Sequence, residues 1–270
     1  MTADLVVADS VTALPSRAPG AVLVTGSHGG LIAAHYAFAA GVRAAIFNDA
    51  GCGLDDAGIA GIEALEDAGM AAAAVAHTSA RIAVAADTLE RGVISYANAP
   101  ARALGVGAGM SCRDAIAHLH AAAMPSGSLP AQREARVVLA EGRPDRRAIV
   151  GLDSIGGVVA ADAGCVLVIG SHGGLHGGDP ASALPVDASA AFFHDAGIGR
   201  DDAGCSRLPV LDARGIPAAC VDHRSARIGD ARSMWGSGVL SRVNAAALAR
   251  GVEAGMRVDA AATRLADVIR

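Results

Sequence analysis

The sequence contains no lysine, and arginine supplies all 22 of its basic residues. Without lysine the chain has no Schiff-base chemistry, so a pyridoxal phosphate (PLP) enzyme is excluded. It also has neither a serine–lysine dyad nor the phosphate-binding lysine of a P-loop. Aromatic residues make up only 3% of the chain, too few for the base stacking that binds single-stranded nucleic acids. With a net charge of −5, neither nucleic acid nor an anionic membrane is expected as a partner.

Cysteines, long apolar runs and charged residues are also scarce. The five cysteines form no CxxC pair and are odd in number, so we expect no disulfide or structural zinc framework and a reduced, cytoplasmic location. No basic head precedes an apolar run at the N-terminus, and apolar stretches are broken well before 18 residues, which argues against a signal peptide and a membrane span. The chain is 52% hydrophobic and 18% charged. This composition provides a large core, excludes disorder and favours a homo-oligomer.

The main positive feature is an internal repeat. Residues 20–30 recur at 164–174 with nine identities in eleven, and residues 48–58 recur at 194–204 with eight in eleven. The offset is 144 up to the first histidine motif and 146 afterwards, so one two-residue insertion aligns the two copies. We therefore predict a first repeat, a connector and a second repeat, at residues 1–122, 123–147 and 148–270.

Within each repeat, apolar runs that predict buried strands alternate with segments of helical spacing. This alternation predicts an α/β fold with two tandem pseudo-symmetric three-layer units and mainly parallel sheets. Pro180 and Pro185 predict that the first helix of the second repeat is short or irregular. The acidic pair Asp55-Asp56 predicts the N-cap and first turn of a helix. The predicted strands are Val22–Thr25, Ala44–Phe47 and Ala71–Ala76 in the first repeat and Val166–Ile169, Ala190–Phe193 and Ala218–Val221 in the second. Gly-Val-Ile-Ser is a candidate fourth strand of the first repeat, and Ala135–Ala140 and Arg146–Leu152 predict extra strands around the junction of the repeats.

Polar motifs follow these strands at their carboxyl ends, where open parallel sheets bind ligands. The first motif is Ser-His-Gly-Gly, whose paired glycines allow a ligand to approach the backbone and leave amide N–H groups for an anion nest. Its histidine is a candidate acid, base or metal ligand, and the alternative is a tight turn without function. The motif occurs twice, as Ser27, His28, Gly29 and Gly30 and as Ser171, His172, Gly173 and Gly174.

Asp49 and Asp195 follow the next strand of each repeat, in the motif Asp-Ala-Gly. Such a carboxylate orients an imidazole or acts as a base, and an Asx-turn explains it equally well. Cys52 lies three residues after Asp49 and is a candidate nucleophile. The alternative for Cys52 is a thiol that simply packs in the core.

The third motif, Ser-Ala-Arg-Ile, contains Arg81 in the first repeat and Arg227 in the second. Arginine binds carboxylate or phosphate in a bidentate manner, and in a chain without lysine it is the residue that must do so. Ser79 and Ser225 are expected to donate to the same ligand. The alternative is that each arginine forms an ion pair with a neighbouring aspartate.

The second repeat has additional histidines that suggest a metal site. His172, His176 and His194 form a candidate three-ligand set for zinc or iron, with Asp195 behind them. Beyond this candidate ion, the sequence indicates no cofactor.

Together these motifs favour an enzyme with its site in a cleft between the two repeats. We expect it to hydrolyse a small, polar, carboxylate-bearing molecule, with His28 or His172 as acid or base and Asp49 or Asp195 as its partner. The alternatives are a lyase or a metal-dependent hydrolase for the same kind of substrate, and a non-catalytic protein that binds small anions. Hydride transfer is disfavoured because no GxGxxG motif follows a strand. A purely structural repeat is disfavoured because packing does not require repeated polar strand ends.

Overall fold

The computed structural model describes residues 4–267 and contains two mainly parallel sheets. The predicted α/β fold with two tandem units is confirmed. Each sheet is four parallel strands with antiparallel strands at its edges, one in the first sheet and two in the second. The first sheet has the order β1 (Leu5–Ala8), β2 (Val22–His28), β3 (Ala44–Asn48), β4 (Ala71–Val75) and β5 (Ile94–Ala97). The second has the order β11 (Leu240–Val243), β10 (Ala218–Val221), β9 (Ala190–His194), β8 (Val166–His172), β7 (Ile149–Leu152) and β6 (Arg136–Ala140).

Helices cover both faces of each sheet, which gives the predicted three layers. In the first repeat, Leu23, Phe47 and Ile62 belong to the core on one face, whereas Ile46 and Leu119 belong to the core on the other. The second repeat has the same two cores. The helices are α1 (Leu31–Ala39), α2 (Ala60–Asp67), α3 (Ala85–Arg91), α4 (Ala99–Ala103), α5 (Cys112–Leu119), α6 (Arg207–Ala213), α7 (Ala231–Ser237), α8 (Ala245–Leu248) and α9 (Val258–Ala266). Within residues 4–267, no helix has the length and apolar character needed to cross a bilayer.

One strand was not predicted from the sequence. The short strand β1 pairs in parallel with β2 and is the equivalent of β7. The extra strands predicted at Ala135–Ala140 and Arg146–Leu152 are confirmed as β6 and β7, and β6 forms the antiparallel edge of the second sheet. Residues 1–3 and 268–270 of the predicted repeats lie outside the described residues.

The two repeats differ most after the Ser-His-Gly-Gly motif. In the first repeat α1 follows it directly. In the second, residues 175–189 contain two 3-10 turns, at His176–Gly178 and Pro180–Ser182, and no α-helix. The irregularity predicted from the prolines is therefore confirmed, since proline lacks the N–H that a helix interior needs.

A single substitution between the repeats accompanies this difference. Gly61 lies where α2 crosses α1, and a Cβ there would lie 2.6 Å from that of Ala34. The equivalent residue in the second repeat is Arg207, which is fully buried. Its guanidinium donates to the carbonyl oxygens of Ser182 and Ala183. Arg207 thus fills the space that α1 takes in the first repeat.

The acidic pair Asp55-Asp56 does not begin a helix, and this prediction was wrong. Both residues have positive φ, 55° and 52°, and α2 starts only at Ala60. The loop instead extends to the second repeat, where the N–H of Leu54 donates to the carbonyl of His223 over 2.7 Å. Contact between the repeats, and not helix capping, therefore determines the conformation of this acidic segment.

Candidate functional site

The two Ser-His-Gly-Gly motifs face each other across a pseudo-two-fold axis. The ring centroids of His28 and His172 lie 6.5 Å apart. The contacts around them are reciprocal, because the N–H of Arg200 donates to the carbonyl of His77 over 2.8 Å, just as Leu54 does to His223. The carboxyl ends of the two sheets therefore meet at one place.

A cavity of about 100 Å³ lies between the motifs, and we call it the inner cavity. Its volume holds several water molecules or one small functional group. Both repeats and the connector contribute to its wall. The polar side chains that line it are those of Ser10, Thr12, Ser27, His28, Tyr36, Glu134, Asp153, Ser154, Ser171, His172 and His176.

Hydrogen bonds fix the tautomer of both central histidines. Nδ1 of His28 accepts the N–H of Gly30 over 3.1 Å, and Nδ1 of His172 accepts the N–H of Gly174 over 3.2 Å. Each neutral ring therefore carries its proton on Nε2. Burial is the main cause that lowers the pKa of His28 to about 4, and it holds the pKa of His172 well below the usual range.

These histidines can donate a proton in a hydrogen bond but have no free lone pair. A base or a metal ligand needs an unprotonated nitrogen, and the only one on each ring already accepts a backbone N–H. Among residues 4–267, no group hydrogen-bonds to Nε2 of His28 or His172. In this geometry neither His28 nor His172 has the free nitrogen that a base needs, and their role as an acid stays a prediction.

The neighbouring serines provide a second pair of donors. Oγ of Ser27 accepts the N–H of Val11 over 3.1 Å, and Oγ of Ser171 accepts the N–H of Ile155 over the same distance. Because each oxygen is an acceptor in that contact, its own O–H remains to donate elsewhere. Each repeat therefore contributes one hydroxyl and one imidazole N–H donor to the inner cavity.

The motif glycines serve close packing and not an anion nest. The N–H groups of Gly29 and Gly173 donate to backbone carbonyls, and those of Gly30 and Gly174 donate to the histidines. A Cβ on Gly29 would lie 2.6 Å from Cδ1 of Ile62. The predicted nest is therefore wrong, because all four amides already have partners.

The strand-end aspartates pair with other histidines than predicted. Oδ1 of Asp49 lies 2.9 Å from Nδ1 of His77, and Asp195 lies 3.2 Å from Nδ1 of His223. Burial acts to raise the pKa of Asp49, but hydrogen bonds from His77 and the Gly51 N–H hold it below its usual range. The predicted pairing of these aspartates with His28 and His172 is therefore wrong.

These Asp–His pairs lie at the contact between the repeats. A Cβ on Gly197 would lie 2.8 Å from Cδ2 of His77, and one on Gly51 would lie 3.0 Å from Cδ2 of His223. Asp49 also accepts the N–H of Gly51 over 2.9 Å, which is the Asx-turn of the alternative interpretation. The pairs therefore orient rings that pack against the opposite repeat.

The two motif arginines form ion pairs with aspartates, as the alternative interpretation held. Nε of Arg81 lies 3.4 Å from Asp87, and Nη2 of Arg227 lies 2.6 Å from Asp55 of the other repeat. Neither arginine lines the inner cavity. The predicted bidentate anion clamp is therefore not formed there.

Ser79 and Ser225 of the Ser-Ala-Arg-Ile motif already donate hydrogen bonds, and the thiol of Cys52 is unreactive. Oγ of Ser79 and Oγ of Ser225 each donate to a backbone carbonyl over 2.7 Å, at Ala76 and Asp222. Burial, followed by nearby carboxylates, raises the pKa of Cys52 to about 11. A thiol that stays protonated at neutral pH is a poor nucleophile, so the packed-thiol interpretation of Cys52 is favoured.

The predicted three-histidine metal set is not formed. Nδ1 of His194 accepts the N–H of Ala196 and its Nε2 lies 3.0 Å from the carbonyl of Ala226, so both nitrogens are used. His172 has no free lone pair either, and only His176, whose ring lies 5.9 Å from that of His172, retains one. A neutral imidazole that binds a metal through one nitrogen carries its proton on the other. In His172 and His194 a proton on Nδ1 is prevented, because Nδ1 accepts a backbone N–H.

One other group in the described residues has the spacing of a metal site. The ligand atoms of Asp195, Asp222 and His223 all lie within 4.8 Å of one another. Asp222, however, already accepts from Nε and Nη2 of Arg224 over 3.0 and 2.7 Å. The close spacing is that of an Asp–His–Asp–Arg ion-pair network, and a metal would have to compete with the guanidinium.

Glu134 is the residue at the inner cavity that sequence reasoning missed. Burial raises the pKa of its carboxyl above the usual range; a hydrogen bond with Ser154 acts to lower it, and the charge of Asp153 acts to raise it. Tyr36, whose own pKa is raised by burial and by Glu134, lines the same cavity. A carboxyl group with a raised pKa in a cavity is typical of proton-transfer residues. No motif marks Glu134, because it lies in the connector and has no counterpart in a repeat.

A larger cavity of about 400 Å³ adjoins the inner one, and we call it the outer cavity. The two share His28, Ile32, Asp153 and Gly229. The outer cavity is also lined by Leu31, Asp55, Ala57, Ala60, Gln132, Arg133, Arg227, Ile228 and Asp230.

Comparison of the chain with models of protein families, with curated proteins and with solved structures gave no match. The function must therefore be argued from the chemistry of the cavities.

Proposed function

We propose that the protein is an enzyme that hydrolyses a small, polar, carbonyl-containing molecule in the inner cavity. The observation that supports this is the meeting of two uncharged Ser–His donor pairs with a carboxyl group whose pKa is raised. Four neutral donors are suited to an oxygen that gains negative charge during reaction. The carboxyl is suited to move the proton.

The donor pairs would stabilise the oxygen of the reacting carbonyl. Ser27 and His28 come from one repeat, and Ser171 and His172 from the other. Their orientation is held by backbone N–H groups, so it needs no rearrangement during reaction. In other enzymes, one such fixed donor contributes a factor of about 10² to 10³ to the rate. The carboxylate that hydrolysis forms at the same carbon would be bound by the same neutral donors, since no arginine is among the described residues that line this cavity.

Glu134 would act as general base toward water. Its carboxylate accepts a proton from a water molecule, whose oxygen attacks the carbonyl carbon while the electron pair of the C=O bond moves to oxygen. The donors hold that charge until the C=O bond re-forms. The bond to the leaving group then breaks, and Glu134 returns the proton to it. Positioned general bases contribute about 10² to 10⁴ to such reactions.

A non-catalytic carboxylate-binding protein is the second candidate. It is favoured by the tautomers of His28 and His172, which leave neither ring a basic nitrogen. In that case the four donors bind a carboxylate, and Glu134 serves only to shape the cavity.

Two substitutions separate these functions. We expect a panel of small esters and amides, followed by ¹H NMR, to show turnover of at least one compound by the wild type. Glu134→Gln should lower kcat about 100-fold or more and leave binding nearly unchanged, whereas His172→Ala should weaken both. His118→Ala, on α5 and away from the cavity, serves as the matched control.

Binding of carboxylates with no turnover in the panel would favour the second candidate. If His172→Ala and Glu134→Gln both kept the binding and the turnover of the wild type, the proposed site would be refuted.

A further inference from the structure

The outer cavity is large enough to hold the body of a small molecule, whereas the inner one is not. Its volume of about 400 Å³ lies in the range of small-molecule sites, and the inner cavity of about 100 Å³ lies below that range. Because the cavities share His28 and Gly229, a ligand whose polar end is bound in the inner cavity would extend into the outer one.

Five of the residues that line the outer cavity have apolar side chains, and we call these five its apolar wall. Leu31 and Ile32 at the start of α1 form one part, Ala57 and Ala60 another, and the buried Ile228 of the second repeat a third. Leu31 is 45% exposed and lines the outer cavity. A ligand that covered this side chain would gain from its burial.

The aspartates of the outer cavity already have partners. Asp55 is paired with Arg227, and Oδ1 of Asp230 accepts the N–H of Ser233 at the start of α7. The two oxygens of Asp153 each accept a backbone N–H. Three aspartates lie here against two arginines. This balance disfavours a second negative charge on the part of the ligand that extends outward.

The equivalent space in the second repeat is closed. Leu175, the counterpart of Leu31, is only 8% exposed. The N–H of Gly177 donates to the carbonyl of Ala83 over 2.8 Å, which joins this loop to the first repeat. Arg207 fills the space behind it. Among the described residues, the cleft is therefore open beside the first repeat and filled at the equivalent position of the second.

We propose that the outer cavity binds a short, uncharged acyl chain, so that the protein takes monocarboxylic acids or their esters and amides, one per chain. This inference rests on the proposed function of the inner cavity, where the carboxyl end would lie. The apolar wall determines the preference for chain length, and the single opening determines the stoichiometry.

The test compares acetate, butyrate and hexanoate, with affinities measured by ligand-observed NMR and stoichiometry by calorimetry. Burial of each methylene group tightens binding about fourfold at most, and we expect at least a tenfold gain from acetate to hexanoate. Adipate, which has hexanoate's length and a second carboxylate, should bind more weakly than hexanoate. The expected stoichiometry is one ligand per chain.

Two variants examine the wall itself. Leu31→Ser should weaken hexanoate three- to tenfold and leave acetate unchanged, and Leu248→Ser, at a site 51% exposed on α8, should change neither. Ala60→Leu should block the outer cavity and remove the advantage of hexanoate, while Ala245→Leu, also at the first position of a helix, should not. Retained acetate binding shows that each variant is folded.

Equal affinities for acetate and hexanoate, unaffected by Leu31→Ser, would overturn the acyl subsite. If His172→Ala abolished both in that case, the inner site would still stand. If adipate bound as tightly as hexanoate, the proposal that the acyl chain is uncharged would be overturned. If two ligands bound per protein chain, the proposal of a single opening would be overturned. If no acid bound and no ester or amide were turned over, both proposals would fail.

Discussion

The substitution His194→Asn offers a sharp test of how the protein depends on pH. His194 and Asn48 are equivalent in the two repeats and make equivalent hydrogen bonds. Nδ1 of His194 accepts the N–H of Ala196 and Nε2 donates to the carbonyl of Ala226. Oδ1 of Asn48 accepts the N–H two residues on over 2.9 Å, and its Nδ2 donates to the carbonyl of residue 80 over 3.2 Å. The variant therefore keeps both contacts and removes only the titrating ring.

The magnitude follows from the pKa of the buried ring. Burial lowers the pKa of His194 from 6.5 to about 4. Between these values the unfolded chain binds more protons than the folded one. The contribution of the neutral His194 ring to the free energy of unfolding is therefore fully present above pH 6.5 and is lost as the pH falls toward 4. The full effect is about 3 kcal/mol, of which about 2 kcal/mol is lost between pH 7.5 and pH 5. That is a large part of the typical stability of about 5–15 kcal/mol.

Urea unfolding at pH 7.5 and pH 5.0 measures this directly. From pH 7.5 to pH 5.0 the free energy of unfolding should fall in both proteins, and the fall should be about 2 kcal/mol smaller in His194→Asn than in the wild type. The reciprocal variant Asn48→His should fall by a similar amount more, because it introduces a second buried ring with the same partners. If His194→Asn and the wild type lose the same free energy, the ring is not held neutral as the contacts require, and the reasoning is refuted.

Three further predictions concern the inner cavity and its surroundings. Cys52→Ser should leave turnover unchanged, since the thiol with a pKa of about 11 is not a nucleophile; a loss above tenfold would contradict this. Zn²⁺ added to metal-free protein should not shift the ring ¹⁵N signals of His28 and His172, because their Nδ1 atoms are occupied; a shift would show ligation. Turnover should rise with pH through a midpoint above the usual glutamate range, as a base with a raised pKa requires, and this dependence should vanish in Glu134→Gln.

The sequence was sufficient for the architecture because the repeat made each strand visible twice. A run such as Val22–Thr25 is ambiguous alone, but its recurrence before a second Ser-His-Gly-Gly motif identifies a buried strand that ends at a polar edge. The strand continues past the predicted end to His28, which pairs with Asn48 of β3 after an irregularity in the register between Val24 and His28. Because the neighbouring strands are parallel, their carboxyl ends and the polar motifs that follow them lie at the same edge of the sheet, where ligands bind in open parallel sheets.

The partners of the polar residues could not be predicted in the same way. Asp49 follows β3, whose neighbour on the other side from β2 is β4, and the N–H of Asp49 donates to the carbonyl of Val75 over 2.9 Å. This register places Asp49 beside His77, which follows β4, and away from the cavity that His28 lines. Strand order, which local spacing does not encode, thus decided which histidine the carboxylate orients.

Tautomers were equally hidden, because they depend on a backbone N–H two residues further along and on burial. The sequence shows His28 as a titratable residue, and the hydrogen bond to Gly30 makes it a fixed donor. Glu134 was missed for a different reason. It comes from a connector that is not repeated, so the comparison of the two copies gave it no weight.

The single connector also bears on how a symmetric duplication would carry the proposed reaction. Each repeat supplies the same side chains, Ser27 and His28 or Ser171 and His172, so the inner cavity has equivalent halves. The proposed hydrolysis needs one general base, and Glu134 occurs once because the chain passes between the repeats only once. Arg207 and the loop behind it fill the position equivalent to the outer cavity. In the proposed function, one base and one opening would make a single direction of approach productive, which is the asymmetry that chemistry on an asymmetric substrate requires.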